Sequence, residues 1–225
     1  MRHRHANLDD GCNPELVFGA EFDGILEIPI IHAPKQITIP SGITPFSKRT
    51  RALGTNEAIG HFEKDPTFAD ILIHPESYID DLSRFKYVIP IDASLYRDAP
   101  LAAQVINLYR SRVIGSYFQR KGVNIIPLVR WGNEYTYTTK YFPEKIAFLG
   151  IEKHSIIMIS TYGCIRSNED KYYFSSGLYE MLKTLDPRVV LVYGSMPDSV
   201  FKSYLNYCSF VNYPDWTTRM KGGDC

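Results

Sequence analysis

Apolar runs and amphipathic stretches alternate along most of the chain, and their lengths predict the elements. From residue 66, Phe68–Ile73 reads as a short apolar strand and 77–85 as a short helix. Tyr87–Ile91 (YVIPI) reads as a strand. Pro100–Lys121 reads as a long helix closed by Gly122, and Asn124–Val129 as a further strand. The segment 133–142 fits neither period. Ser155–Ser160, Val189–Tyr193 and Ser209–Asn212 read as strands, with helices over Asn168–Leu185 and Asp198–Asn206. In the long helix, Leu101, Val105, Leu108, Tyr109, Arg112 and Val113 share the face that meets a core. Gln104, Asn107 and Arg110 fall on another face, which either lines a groove or meets water.

Continuous β-branched runs separated by helices specify parallel strands covered on both faces. The fold class is therefore α/β, with repeated strand–helix units and a mostly parallel sheet. About six units are visible, too few for a regular eight-fold barrel unless the N-terminal region adds strands. Polar residues follow several strands rather than one central pair. An incomplete or irregular β/α barrel is accordingly preferred over an open doubly wound sheet. Residues 1–65 are punctuated by Pro14, Pro29, Pro34, Pro40 and Pro45. They read as an extended arm with one short strand around Ile25–Ile31, the stretch from Pro40 to Glu57 being loop. A single domain is expected over 1–225, with the arm packed on an α/β core of 66–212 and a frayed tail at 213–225.

Composition narrows the partners. Of the 225 residues, 44% are hydrophobic, enough for a substantial core, and 25 basic side chains balance 25 acidic ones. A duplex-DNA binder draws its affinity from a basic excess, so neutral charge disfavours that role. Sixteen tyrosines suit pocket walls and interfaces. Cys12, Cys164, Cys208 and Cys225 stand alone, and the histidines at 3, 5, 32, 61, 74 and 154 make no paired motif on a predicted element. No metal site and no disulfide framework is expected, and no particular cofactor is indicated. No apolar run reaches membrane-spanning length, and the first residues lack a signal-peptide core. The expectation is a cytoplasmic protein without membrane association.

In either parallel architecture the ligand site lies beyond the carboxyl ends of the strands. Four strand ends carry chemistry there. Asp92 follows YVIPI, where a carboxylate serves as base, nucleophile or metal ligand, or caps a turn. Ser94, Tyr96 and Arg97 follow it. Arg130 and Trp131 come after the next strand, with Glu134 beyond. Arg130 presents a fork for a carboxylate or phosphate, or pairs with Asp92 or Glu134. Thr161, Gly163 and Cys164 follow the third strand, and Gly194 and Ser195 the fourth. These glycine turns either cradle an anion or only cap helices. No GxGxxG or GxxxxGK[ST] motif occurs, so dinucleotide and P-loop binding have no sequence support. Asp92 and Arg130 are the catalytic candidates. Ser94, Tyr96, Arg97, Trp131, Glu134, Thr161, Cys164 and Ser195 are the substrate-binding candidates.

The runs NPELVFGAEF, HFEKDPTFADILIHPESYIDDLSRF, IDASLYRDAPLAAQVINLYRSRVIGSYFQRKGVNIIPLVRWGNE, STYGC and VYGSMP resemble the family known as domain of unknown function 4417. The likeness spans roughly residues 12–212. It implies a phage, prophage or mobile-element origin and one domain, and it assigns no catalytic residue. Asp92, Ser94, Leu95, Tyr96, Arg97, Asp98, Arg130 and Trp131 match the family pattern. The VIPI before Asp92 departs from the Ser-Pro that precedes this Asp in many members.

Two functions fit these residues. One is an enzyme acting on a phosphorylated, nucleotide or sugar-like small molecule at the strand ends. The other is a non-catalytic module that recognises a host protein or nucleic acid through tyrosines and the basic stretch Lys48-Arg49-Thr50-Arg51.

Overall fold

Every strand of the core runs in the same direction, and the strands follow one another in sequence order. A computed structural model describes residues 12–93 and 95–222. An antiparallel hairpin of β1 (Phe22–Asp23) and β2 (Ile28–Pro29) precedes the core. Strands β3 (Ile43–Pro45), β4 (Ala58–His61) and β5 (Tyr87–Ile91) form one parallel ladder. Strands β6 (Ile156–Ser160), β7 (Val189–Tyr193) and β8 (Ser209–Tyr213) form another. The helices are α1 (Ala69–Ile73), α2 (Ile79–Leu82), α3 (Leu101–Arg120), α4 (Glu134–Tyr137), α5 (Asn168–Leu185), α6 (Asp198–Phe201) and α7 (Trp216–Gly222).

Residues 124–129 join the two ladders. Val88 N donates to Asn124 O at 2.8 Å, and Ile126 N to Val88 O at 3.1 Å. Beyond Pro127 the pairing passes to β6: Met158 N donates to Pro127 O at 2.9 Å, and Val129 N to Met158 O at 2.8 Å. Proline has no N–H, so the segment makes isolated bridges to each side rather than a continuous strand. The order β3, β4, β5, 124–129, β6, β7, β8 never reverses, which is the winding of a barrel and not of a doubly wound sheet.

Alternate side chains fill the inside of the curved sheet. Ile43, Ile89, Leu128, Met158, Leu191 and Tyr213, one from nearly every segment, belong to one buried cluster. The opposite faces bury Ile59, Val88 and Ile91 with Val113 and Phe118 of α3, and Ile157, Ile159 and Val190 with Leu178 and Met181 of α5. Cover on both faces is why these strands are apolar throughout.

The barrel is not closed. Among the described residues no ladder joins β8 to β3. The seam is occupied by α7 instead. Asp215 caps this helix by accepting from Thr217 N (3.0 Å) and Thr218 N (3.2 Å). Arg219 then reaches across to Ile43 O at 3.2 Å and forms an ion pair with the buried Glu57. Tyr213 adds a hydroxyl donated to Pro40 O at 2.6 Å.

Several expectations change here. The stretch read as loop in the arm supplies β3, and the residues just after it supply β4, so the sheet begins well before residue 66. These strands are only three and four residues long, below the window in which alternation is legible. Phe68–Ile73 is helical, not a strand. Phe68 and Ile71 are buried three residues apart while Ile73 is 41% exposed, which is helical spacing. The tail is not frayed as far as Gly222, because Asp215 caps a helix there. Gln104 is buried rather than solvated, its Nε2 donating to Ala99 O at 2.8 Å.

His61 ends β4 inside this core. Its Nδ1 donates to Ile89 O at 2.7 Å, and its ring stacks on Phe46 with centroids 4.8 Å apart. Nε2 is buried without a hydrogen-bond partner. Burial, aided by the charge of Arg49, lowers the pKa to about 4. The neutral ring is therefore favoured in the folded chain. Its contribution to stability is complete above the unfolded value near 6.5 and is lost as pH falls through about 4. We expect urea melts to lose about 3 kcal/mol more between pH 7 and pH 4 in the native chain than in His61→Gln. Parallel losses in the two proteins would contradict this.

Candidate functional site

The carboxyl ends of all seven parallel segments open on one mouth. Two adjoining lobes occupy it. The first, about 370 Å³, is lined from Leu95–Asp98, Val129–Gly132, Ser160, Tyr162–Cys164 and the first turns of α5, including Asp170, Tyr173 and Phe174. The second, about 810 Å³, is lined by Lys48, Phe62, Lys64, Arg166, Tyr193, Trp216 and their neighbours. Tyr96, Arg130, Tyr162 and Gly163 border both.

Arg130 and Asp92 meet at the floor between the lobes. Arg130 Nε donates to Asp92 Oδ1 at 2.6 Å, Nη2 donates to Oδ2, and Nη1 lies 2.7 Å from Cys164 Sγ. The Asp92 side chain is 5% exposed and that of Arg130 is 22%. Burial alone would favour the neutral guanidine, but the facing carboxylate outweighs it and raises the Arg130 pKa above its ordinary value. This fork-to-fork geometry fixes the guanidinium plane. It also leaves Asp92 with both oxygens engaged, which suits it to orienting Arg130 more than to acting as a base.

The remaining candidates separate into three groups. Tyr96, Arg97, Trp131 and Cys164 line the first lobe with Arg130. Arg97 is held by Glu169 at 2.9 Å and lies over the Tyr173 ring at 4.9 Å, tying the loop after β5 to the start of α5. Trp131 is anchored on α5: a Cβ on Gly177 would come within 2.3 Å of its indole, so only glycine admits the ring there. Thr161, Glu134 and Ser195 stand apart and line neither lobe. Thr161 is buried and donates its hydroxyl to Ser195 O at 2.6 Å. Gly194 has φ +107°, and a Cβ there would lie 2.6 Å from Thr161 Oγ1, so this glycine turn packs two strand ends together. Glu134 opens α4, and Ser195 is exposed beyond β7. Ser94 lies outside the described residues, as do His3, His5 and Cys225.

Sequence reasoning passed over Arg166, Tyr173, Phe174 and Trp216. The first three sit in or just before α5, whose first turns fold back over the mouth. Arg166 had a signal of position, since it lies in the loop after β6; Tyr173 and Phe174 lie farther on, inside α5. Trp216 had the same signal, three residues beyond β8, but that stretch was read as a tail. Among the described residues, no group of three His, Cys, Asp or Glu side chains is placed to hold a metal ion, and no helix is long and apolar enough to cross a membrane.

Comparison with known proteins adds the lineage. The model of the family described as domain of unknown function DUF4417 matches residues 20–214. The Gene 1 protein of Mycobacterium phage D29 is 31% identical over 180 residues, covering 77% of this chain and 61% of the phage protein. The Gene 1 protein of Mycobacterium phage L5 is likewise 31% identical over 180 residues, covering 77% of this chain and 72% of its own. The chain thus spans about three fifths of the length of the D29 relative. No solved structure matches. With the match running from the β1–β2 hairpin to β8, through all seven parallel segments, the chain belongs to the DUF4417 family and has phage proteins among its relatives.

Proposed function

We propose that the chain is an enzyme that takes a phosphorylated, nucleotide or sugar-like small molecule into the mouth at its strand ends. The observation that carries this reading is the Arg130 guanidinium, held in plane by Asp92 and touching the Cys164 thiol, at the floor of a cavity bordered by Tyr96 and Tyr162. A rigid cation, a thiol and aromatic walls in one concavity supply anion recognition, a nucleophile and ring contact. Arg130 faces the anionic group, Asp92 positions it, and Cys164 lies nearest the reacting atoms.

Thermal melts against a panel of nucleotides, sugar phosphates and free sugars test the reading. A ligand at about a hundred times its Kd stabilises by about 2.7 kcal/mol, a rise of roughly 5–10 °C for a chain of this size. We expect that rise in the native chain and its loss in Tyr162→Ala, whose side chain is exposed and replaceable without harm to the fold. A panel that shifts nothing, or shifts both proteins equally, overturns the binding site. Recovery of the bound compound unaltered after prolonged incubation overturns the enzymatic half.

A second reading, a module that recognises a host protein or nucleic acid, draws support from a separate groove of about 570 Å³ lined by Tyr137, Tyr172, Tyr179 and Tyr204. The basic stretch invoked for it from sequence is partly spent, since Arg49 pairs with Asp81 at 2.5 Å.

A further inference from the structure

The two lobes differ in charge in a way their residue counts conceal. The second holds Lys48, Lys64 and Arg166, none of which forms a contact ion pair among the described residues, although the charge of Arg166 reaches Asp170 at the start of α5. Its four carboxylates, Glu63, Asp65, Asp92 and Asp215, all have partners of their own. Glu63 accepts from Ser47 N at 2.9 Å and from Ser47 Oγ at 2.5 Å. Asp215 is bound up in capping α7, and Asp92 in holding Arg130. The lobe therefore offers an incoming anion three cations outside any ion pair, set against the retained charges of Glu63, Asp65 and Asp215. The divide between the lobes offers something else. Tyr96 is 65% exposed and Tyr162 is 56% exposed, and both border each lobe. Two solvent-facing aromatic rings beside a guanidinium are a stacking platform for a planar group.

Resting on the mouth being a small-molecule site, we propose that its ligand is a nucleotide, with the base at the Tyr96–Tyr162 divide and the phosphates running from Arg130 into the Lys48, Lys64 and Arg166 lobe. A free sugar phosphate uses the cations and leaves the rings idle. A nucleic-acid strand needs cations along its whole path, whereas here the three cations occupy one lobe. The mouth is also bounded, by the first turns of α5 on one side and the start of α7 on the other.

Titration calorimetry of the full chain with adenosine, AMP, ADP and ATP in EDTA, and with GMP and GTP, tests this. Affinity is expected to rise along each phosphate series, by about tenfold or more from adenosine to ATP, and to fall with added salt. The triple variant Lys48→Gln, Lys64→Gln, Arg166→Gln changes three exposed side chains and should flatten the series while leaving adenosine binding within about twofold. Tyr162→Ala should weaken every member by about tenfold. Equal binding of adenosine and ATP, or a triple variant that keeps the series, overturns the proposal. A twelve-residue oligothymidylate that binds more tightly than ATP at the same salt also overturns it, in favour of a single strand. If only sugar phosphates or free sugars raise the melting temperature, and do so through Tyr162, the nucleotide assignment fails and the mouth remains a ligand site. If no class of compound binds, both fail.

Discussion

Replacing Arg112 with alanine is expected to lower stability by about 3–5 kcal/mol, the largest loss of any single side chain in the α3 face. Arg112 is 1% exposed, and its guanidinium is spread over three backbone carbonyls: Nε to Leu149 O at 3.0 Å, Nη1 to Leu128 O at 2.7 Å and Nη2 to Ala147 O at 3.2 Å. No carboxylate faces it in this set, so three carbonyl dipoles carry the compensation. Burial lowers its pKa to about 9, which leaves it protonated at neutral pH. Truncation removes the donors from three buried acceptors and opens a void together. Each unsatisfied buried acceptor costs about 1–3 kcal/mol and the void adds to that, while removing a buried charge that no carboxylate faces offsets part of the sum. The melting temperature should fall by roughly 6–20 °C.

Two companion variants separate charge from volume. Arg112→Met fills most of the space and leaves the carbonyls unpaired. Arg112→Lys keeps the charge and serves fewer of the three. Both should remain well below the native chain in urea melts. A methionine variant as stable as the native chain would show that packing, not the guanidinium, is what matters. Because Leu128 lies two residues before Arg130, loss of Arg112 is also expected to loosen the floor of the mouth.

How much of this was legible in the sequence depended on element length and on distance along the chain. Strands β5, β6 and β7 and helices α3 and α5 are long enough for continuous apolar runs or a helical period to show. Their parallel direction followed from being buried on both faces. Strands β3 and β4 did not show, because ITP and AIGH are too short to display a period and sit among prolines and glycines. Helix α7 was legible only through the Asp215 cap, which was read as part of a tail. The same divide runs through the site. Asp92, Arg130 and Cys164 follow strand ends, and a parallel sheet delivers such ends to one rim, so their meeting needed only topology. Lys48, Lys64 and Trp216 also follow the ends of β3, β4 and β8, but β3 and β4 were not legible as strands and the residues after β8 were read as a tail. Thr161 and Ser195 follow strand ends too, yet one turns inward to bond the other's carbonyl. Position at a strand end fixes the rim, and side-chain direction decides whether the rim residue faces the ligand. Arg112 shows the same limit in the core: helical spacing placed it on the buried face, but nothing local revealed three carbonyls waiting for it.

The expected behaviour of Asp92→Asn and Arg130→Ala changes with the geometry. From sequence, both variants are expected to keep the fold and lose only activity, because strand-end residues bury little apolar surface. In the structure the two groups form a bidentate pair, with the carboxylate nearly inaccessible. Arg130→Ala then leaves a buried carboxylate without its partner, at a cost of about 3–5 kcal/mol. Asp92→Asn keeps the shape and removes the charge, and its cost should sit at the lower end because the guanidinium retains some contact with water. Lowered melting in both single variants is therefore expected, and by itself it favours a structural pair over a catalytic one. The double variant Asp92→Asn, Arg130→Gln decides between them. It removes both charges together, so no uncompensated ion remains, and two amides of similar reach can bond each other. Measured against Asp92→Asn and Arg130→Gln as the single variants, non-additivity of about 2–3 kcal/mol is expected, with melting recovered toward the native value. Ligand binding in the mouth should stay lost, because a neutral amide cannot supply the charge and fork that Arg130 presents. If binding returns along with stability, the pair only holds two strand ends together and the ligand is recognised elsewhere on the mouth. If stability returns and binding does not, Asp92 is the residue that positions Arg130, and Arg130 is the group the ligand meets.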